Sequence, residues 1–209
     1  MKKNSLSDLL ERKKVLIFDF DGTIADTSQI HDLAFKEAIS KFNITFDYQL
    51  IAGLKTYDAF KKIFHDNKIG FIEKDIHKLV KIKQEIARKN IAKKILPLPG
   101  VLKFLKWAKP KFELCLVTSG SRATVELALK TIDIYDFFYL KIFGDDVINA
   151  KPSPEGFNNV LRTLKIRPDE ALVFEDSIAG FKAADNAGID SFDARKNLWK
   201  QINKGQAIL

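Results

Sequence analysis

The 209-residue sequence predicts an α/β fold, a doubly wound parallel sheet interrupted by an inserted all-helical domain. Three observations carry that expectation. Val15-Leu16-Ile17-Phe18 is a continuous apolar run, as in a central parallel strand covered on both faces, where alternation is not expected. The next comparable run, Leu114 to Val117, follows only after roughly ninety residues, too long for a loop. Beyond it, short apolar runs and amphipathic helical patterns alternate down to Phe192.

In chain order, residues 5–12 place Leu6, Leu9 and Leu10 on one side of a helical turn or two. The first strand ends abruptly in Asp19-Phe20-Asp21-Gly22-Thr23, and Asp26-Thr27-Ser28 is a helix-start cluster. Helical spacing then recurs in three sets: Ile30, Leu33, Ala34, Ala38 and Phe42; Ala59, Phe60, Ile63 and Phe64; and Ile72, Ile76, Leu79, Ile82 and Ile86, a helix of about five turns. These define a helical cap over 28–95, with 1–27 and 96–209 forming the core domain. Pro97-Leu98-Pro99-Gly100 is a stiff re-entry into a helix at Val101 to Ala108. Strands are then expected at Glu113 to Thr118, Leu140 to Phe143, Ala171 to Glu175 and Asp190 to Phe192. Helices fall between them at Ser121 to Lys130, Pro154 to Leu164 and Ser177 to Ala187. The tail with Leu198, Trp199 and Ile202 reads as a helical closure.

Composition limits the functional classes. Lysine and arginine exceed acids by 35 − 27 = +8, but the excess is scattered lysine mixed with acids, a solvated-face pattern that gives little support to nucleic-acid binding. The single Cys115 lies in an apolar strand and cannot form an internal disulfide, which fits a reducing compartment. No apolar run has signal-peptide or membrane-spanning length, so a cytoplasmic protein without membrane association is expected. Oligomeric state is left open, with a monomer slightly favoured.

Chemistry accumulates at four strand ends: Asp19 to Thr23, Thr118 to Ser121, Lys151-Pro152 and Glu175-Asp176. In a parallel sheet the carboxyl ends converge on one crevice. A carboxylate such as Asp19 closing an apolar strand is costly unless compensated. Thr118-Ser119-Gly120-Ser121 supplies hydroxyls and backbone amides ahead of a helix, suited to a phosphoryl group. Adjacent acids at Glu175-Asp176 repel unless a cation is present. Each stretch alone has a plainer reading, as a turn, a helix cap or a surface lysine. His31, His65 and His77 fall in the helical insertion and form no metal-ligand pattern with Cys115; they are expected as surface or core residues.

In this order, Asp19-Phe20-Asp21-Gly22-Thr23, Thr118, Lys151 and Glu175-Asp176 resemble the motifs of the haloacid dehalogenase superfamily. The resemblance spans nearly the whole chain and points to the branch with a helical cap after the first motif, which includes phosphoglycolate phosphatase-like and β-phosphoglucomutase-like proteins. It implies a Rossmann-like core and makes Asp19 the nucleophile that forms an aspartyl phosphate and Asp21 the acid/base. It further implies that Thr118, Ser119 and Lys151 bind the phosphoryl group. Mg²⁺ would be held by Asp19, the Asp21 backbone carbonyl and Asp176, with Glu175 as ligand or supporting partner. Asp21 separates this chain from haloacid dehalogenases, which lack that acid, and from phosphonatases, which carry alanine there. In the cap, Gly53 with Lys55 and Tyr57 resembles the family's specificity loop. Ala52 and Thr56 stand where β-phosphoglucomutases carry lysine and arginine, which disfavours a mutase. The expected function is Mg²⁺-dependent hydrolysis of a small phosphomonoester. The alternatives are a sugar phosphomutase or a catalytically inactive binding module.

Overall fold

The computed structural model describes residues 6–195. Five parallel strands, β1 (Val15–Phe18), β2 (Glu113–Val117), β3 (Leu140–Ile142), β4 (Ala171–Glu175) and β5 (Asp190–Asp193), form one sheet in the order β3-β2-β1-β4-β5. β1 is central: Ile17 lies opposite Cys115 of β2 and Val173 of β4. Chain direction away from β1 reverses between its two neighbours, so a crevice opens at their carboxyl ends.

Strand alternation divides the core in two. Leu16, Phe18, Leu116 and Phe174 face one cluster, and Val15, Ile17, Val117 and Val173 face the other. Both faces are therefore covered, which is why the central strands are apolar without interruption. Phe18 and Phe174 stack with ring centroids 4.7 Å apart, which locks β1 to β4 directly beneath the crevice. Cys115 is buried within β2.

The described helices are α1 (Leu6–Leu10), α2 (Ser28–Ala38), α3 (Thr56–Asp66), α4 (Glu73–Lys94), α5 (Val101–Ala108), α6 (Arg122–Thr131), α7 (Glu155–Leu164) and α8 (Ile178–Asn186). Between β1 and β2, α2, α3 and α4 enclose their own cluster around Phe35, Phe60, Ile63, Phe64, Ile76 and Leu79. α4 packs along α2 and also reaches α6, so the helical insertion roofs the carboxyl edge of the sheet. No described helix is long and apolar enough to cross a membrane.

Two helical patterns differ from expectation. In α4 the buried face is Ile76, Leu79, Lys83, Ala87 and Ile91, while Ile72 and Ile82 are 61% and 45% exposed. The isoleucine stripe is rotated because Lys83 can be buried: its ammonium bonds His31 and lies 4.5 Å from the Phe35 ring centroid. α2 ends at Ala38, and Leu33 and Phe42 are exposed. The helical closure expected around Trp199 lies outside the described residues.

Candidate active site

All four strand-end stretches meet in the crevice. β1 delivers Asp19, whose backbone N–H donates to Phe174 O at 3.0 Å and so continues the β1–β4 ladder one residue past the strand. Lys151, from the loop after β3, points inward. Its Nζ donates to Asp19 Oδ1 and Glu175 Oε1, both at 2.6 Å, and to Val117 O at 3.0 Å. Burial would discharge this lysine, but Asp19 and Glu175 outweigh it and hold its pKa above the ordinary value. Glu175 is fully buried, and its other oxygen accepts from the Asp176 and Ser177 amides and the Ser177 hydroxyl. Both Glu175 oxygens are thus engaged by protein donors, and the residue orients Lys151 and the β4–α8 turn.

Asp176 differs. Its Oδ1 accepts a long 3.4 Å bond from Thr23 Oγ1, and burial followed by the charges of Glu175 and Asp21 pushes its pKa up to about 7. Asp19 is likewise raised by burial, against the pull of Lys151. Carboxylate oxygens of Asp19, Glu175 and Asp176 lie within 4.8 Å of one another. Three acids against one lysine leave the cluster short of positive charge. That deficit and an all-oxygen donor set fit a hard divalent cation such as Mg²⁺. Gly22, at φ +80°, lies so close that a Cβ there would collide with Asp176 Oδ2. Gly22→Ala is therefore expected to displace Asp176 and weaken Mg²⁺ binding at least about tenfold, measured by titration calorimetry. Wild-type affinity in this variant would remove Asp176 from the cation site.

Asp21 lies beyond the strand, and its Oδ1 receives two donors, Thr27 Oγ1 at 2.5 Å and His31 Nε2 at 3.0 Å. Lys83 Nζ sits 2.9 Å from His31 Nδ1. An ammonium can only donate, so Nδ1 accepts and the imidazole proton is on Nε2. Burial, then the Lys83 charge, lowers the His31 pKa and keeps the ring neutral. Burial would raise Asp21, but His31, Thr27 and Lys83 outweigh it and bring its pKa to about 2. With both donors on Oδ1, Oδ2 is left facing Gly120 in the loop after β2. The Lys83–His31–Asp21 chain was not foreseen from sequence. Its available signal was the four-residue spacing of Thr27, at the cap of α2, and His31 one turn into the helix, which puts the two on the same side.

In the loop after β2, Thr118 is buried and its Oγ1 accepts from the Gly120 amide at 3.0 Å. The Ser119 hydroxyl donates to Gly53 O at 2.8 Å, tying the loop before α3 to the core. Gly53, at φ +80°, also rests against Ser177, whose Oγ would lie 2.5 Å from an added Cβ. Gly53 borders a chamber of about 50 Å³ with Asp19, Asp21, Thr118 and Ser119. Lys55 and Tyr57 line an adjoining compartment instead. Lys55 Nζ bonds Val147 O at 3.3 Å, and the Tyr57 hydroxyl bonds Glu73 at 3.3 Å.

An acid-rich crevice at the carboxyl edge of a doubly wound sheet, under a helical roof, defines a capped α/β hydrolase. The family is specific: residues 16–194 match the model of the haloacid dehalogenase-like hydrolases, and the chain belongs to that family. Among its relatives, a fructose-1-phosphate phosphatase of Escherichia coli is 28% identical, over 90% of this chain and 99% of the relative. A phosphorylated carbohydrates phosphatase of Thermotoga maritima is 29% identical, over 94% and 90%. A solved structure of CbbY from Rhodobacter sphaeroides in complex with xylulose-(1,5)bisphosphate matches with a TM-score of 0.76 at 26% identity, over 86% of this chain and 84% of that one. Within the family the chain stands with the phosphoric monoester hydrolases.

Proposed function

We propose that the protein is a Mg²⁺-dependent phosphatase of small sugar-type phosphomonoesters that works through an aspartyl phosphate on Asp19. The observation that carries the reading is the convergence of Asp19, Asp21, Thr118, Lys151 and Asp176 from four separate strand ends on one buried crevice. The phosphatase relatives support the substrate class. In this reading 28–95 act as the cap and 1–27 with 96–209 as the core.

Asp19 attacks phosphorus and the ester P–O bond breaks, while Asp21 Oδ2 gives a proton to the departing alkoxide oxygen. Asp21 is ionised in the open site, so it takes up this proton from solvent as the phosphoryl dianion enters and opposes its negative charge. In the second half, ionised Asp21 takes a proton from water, whose oxygen attacks the aspartyl phosphate, releasing phosphate and restoring Asp19. Lys151 neutralises charge on the phosphoryl oxygens, and Thr118 and the Ser119 amide hold them. Mg²⁺ held by Asp19, the Asp21 carbonyl and Asp176, with Glu175 supporting through Lys151, would supply the remaining positive charge. The cap excludes water during the first half-reaction.

The test is a phosphomonoester panel with purified protein, with and without Mg²⁺. Turnover of sugar monophosphates that EDTA abolishes and Mg²⁺ restores is the expected result. Absence of hydrolysis across the panel with Mg²⁺ present would refute the reading.

A further inference from the structure

The catalytic chamber, at about 50 Å³, has room for roughly three or four waters, the size of a phosphoryl group. A second cavity of about 500 Å³ adjoins it, and the two share Thr56, Gln84, Ser119 and Ser121. A leaving group seated in this larger cavity passes a neck of three hydroxyls and one carboxamide; the other space bordering the chamber, past Asp21, Tyr48 and Gly53, is smaller, at about 250 Å³. Ser119 and Ser121 donate to Gly53 O and Thr124 Oγ1. Gln84 is half-buried on α4, and no hydrogen bond engages its side chain among the described residues. Its backbone position is fixed by the neighbouring Lys83, which is bound to His31.

The charges around the outer compartment also select. Lys55 is bonded to Val147 O, and the Arg122 guanidinium near Ser121 is taken by Glu126 and Asp146. Asp58 and Asp145 both border the space. Against the Lys55 ammonium, whose Nζ is turned to Val147 O, the lining sets the carboxylates of Asp58 and Asp145, so its balance of charge is negative and opposes a second phosphoryl group. Tyr57 and His77, their ring centroids 5.1 Å apart, give the wall an aromatic face suited to the C–H side of a polyol.

We propose that Gln84 determines specificity: its carboxamide hydrogen-bonds a hydroxyl of a neutral, polyhydroxylated leaving group seated in the outer compartment, which turns away substrates bearing a second phosphoryl group. This rests on the phosphatase reading above. It also separates this chain from the CbbY structure, whose bound compound is a bisphosphate.

The test compares fructose 1-phosphate, fructose 1,6-bisphosphate and phenyl phosphate with the full chain and Mg²⁺. The monophosphate is expected to exceed the bisphosphate in kcat/KM by at least about tenfold. Gln84→Leu should raise KM for fructose 1-phosphate about tenfold or more with a smaller change in kcat. The effect on phenyl phosphate, which has no hydroxyls, should be at least about fivefold less. Asp58→Lys should increase kcat/KM for the bisphosphate about threefold or more at low ionic strength. Equal use of mono- and bisphosphate, or a Gln84→Leu loss shared equally by both monoesters, overturns the proposal while leaving the phosphatase reading intact. No turnover of phenyl phosphate or either sugar phosphate overturns the phosphatase reading itself.

Discussion

Asp19→Asn is expected to lower kcat at least about 10⁴-fold while the protein stays folded, because the amide cannot form the covalent intermediate and the rest of the site cannot substitute for it. The fold should survive for an electrostatic reason. Asp19 is buried beside Glu175 and Asp176, and burial with those like charges already opposes its ionisation. An isosteric neutral side chain removes one negative charge from that cluster and leaves Lys151 paired with Glu175 at 2.6 Å. The melting temperature should therefore stay within a few degrees of wild type or rise, since about 1 kcal/mol corresponds to roughly 2–4 °C at this size. Steady-state kinetics and a thermal melt on the same preparation check both halves. Residual activity within about a hundredfold of wild type would mean that Asp19 is not the nucleophile.

The second large effect belongs to the chain Lys83–His31–Asp21. Asp21→Asn should slow steady-state turnover about 10²–10⁴-fold, because both half-reactions lose their proton shuttle. With p-nitrophenyl phosphate the first half needs little protonation, so one equivalent of nitrophenol should appear as a burst before slow turnover. A proportional loss with no burst would argue against Asp21 acting on the aspartyl phosphate. Lys83 adds a stability signature. Its pKa falls from the ordinary 10.5 to about 8, with burial the main cause and Asp21 opposing. Between about pH 8 and 10.5 the unfolded chain binds a proton that the folded chain does not, so unfolding free energy rises with pH there. The full span is about 3 kcal/mol. Lys83→Met should lose that rise in pH-dependent denaturation and lower activity through the His31–Asp21 geometry. An unchanged slope would place the ammonium in water.

The motifs after β1, β2 and β4 were legible because each is contiguous, a buried run followed at once by polar residues, as in Ala171 to Asp176, where β4 spans the expected Ala171–Glu175. Lys151 stands apart in the loop after β3 and was marked instead by its place between Ala150 and Pro152. The helical insertion showed itself through length and periodicity. His31 and Lys83 were not legible in the same way. They meet across 52 positions, and a lysine among isoleucines in α4 gives no sign of being buried until α2 brings an imidazole acceptor and the Phe35 ring against it. Gln84 was hidden for the same reason, since its importance depends on which face of α4 is turned to the crevice.

By itself, then, the sequence determined the sheet, the inserted helices and the residue types at each strand end, because those follow from local apolar runs and turn chemistry. The tertiary structure decided that Thr27 and His31 both bond the same oxygen of Asp21, that both Glu175 oxygens are engaged by protein donors, and where the larger cavity beside the crevice lies. Those features depend on donors and walls contributed by distant segments, and a one-dimensional pattern carries no record of which of them come within hydrogen-bond distance.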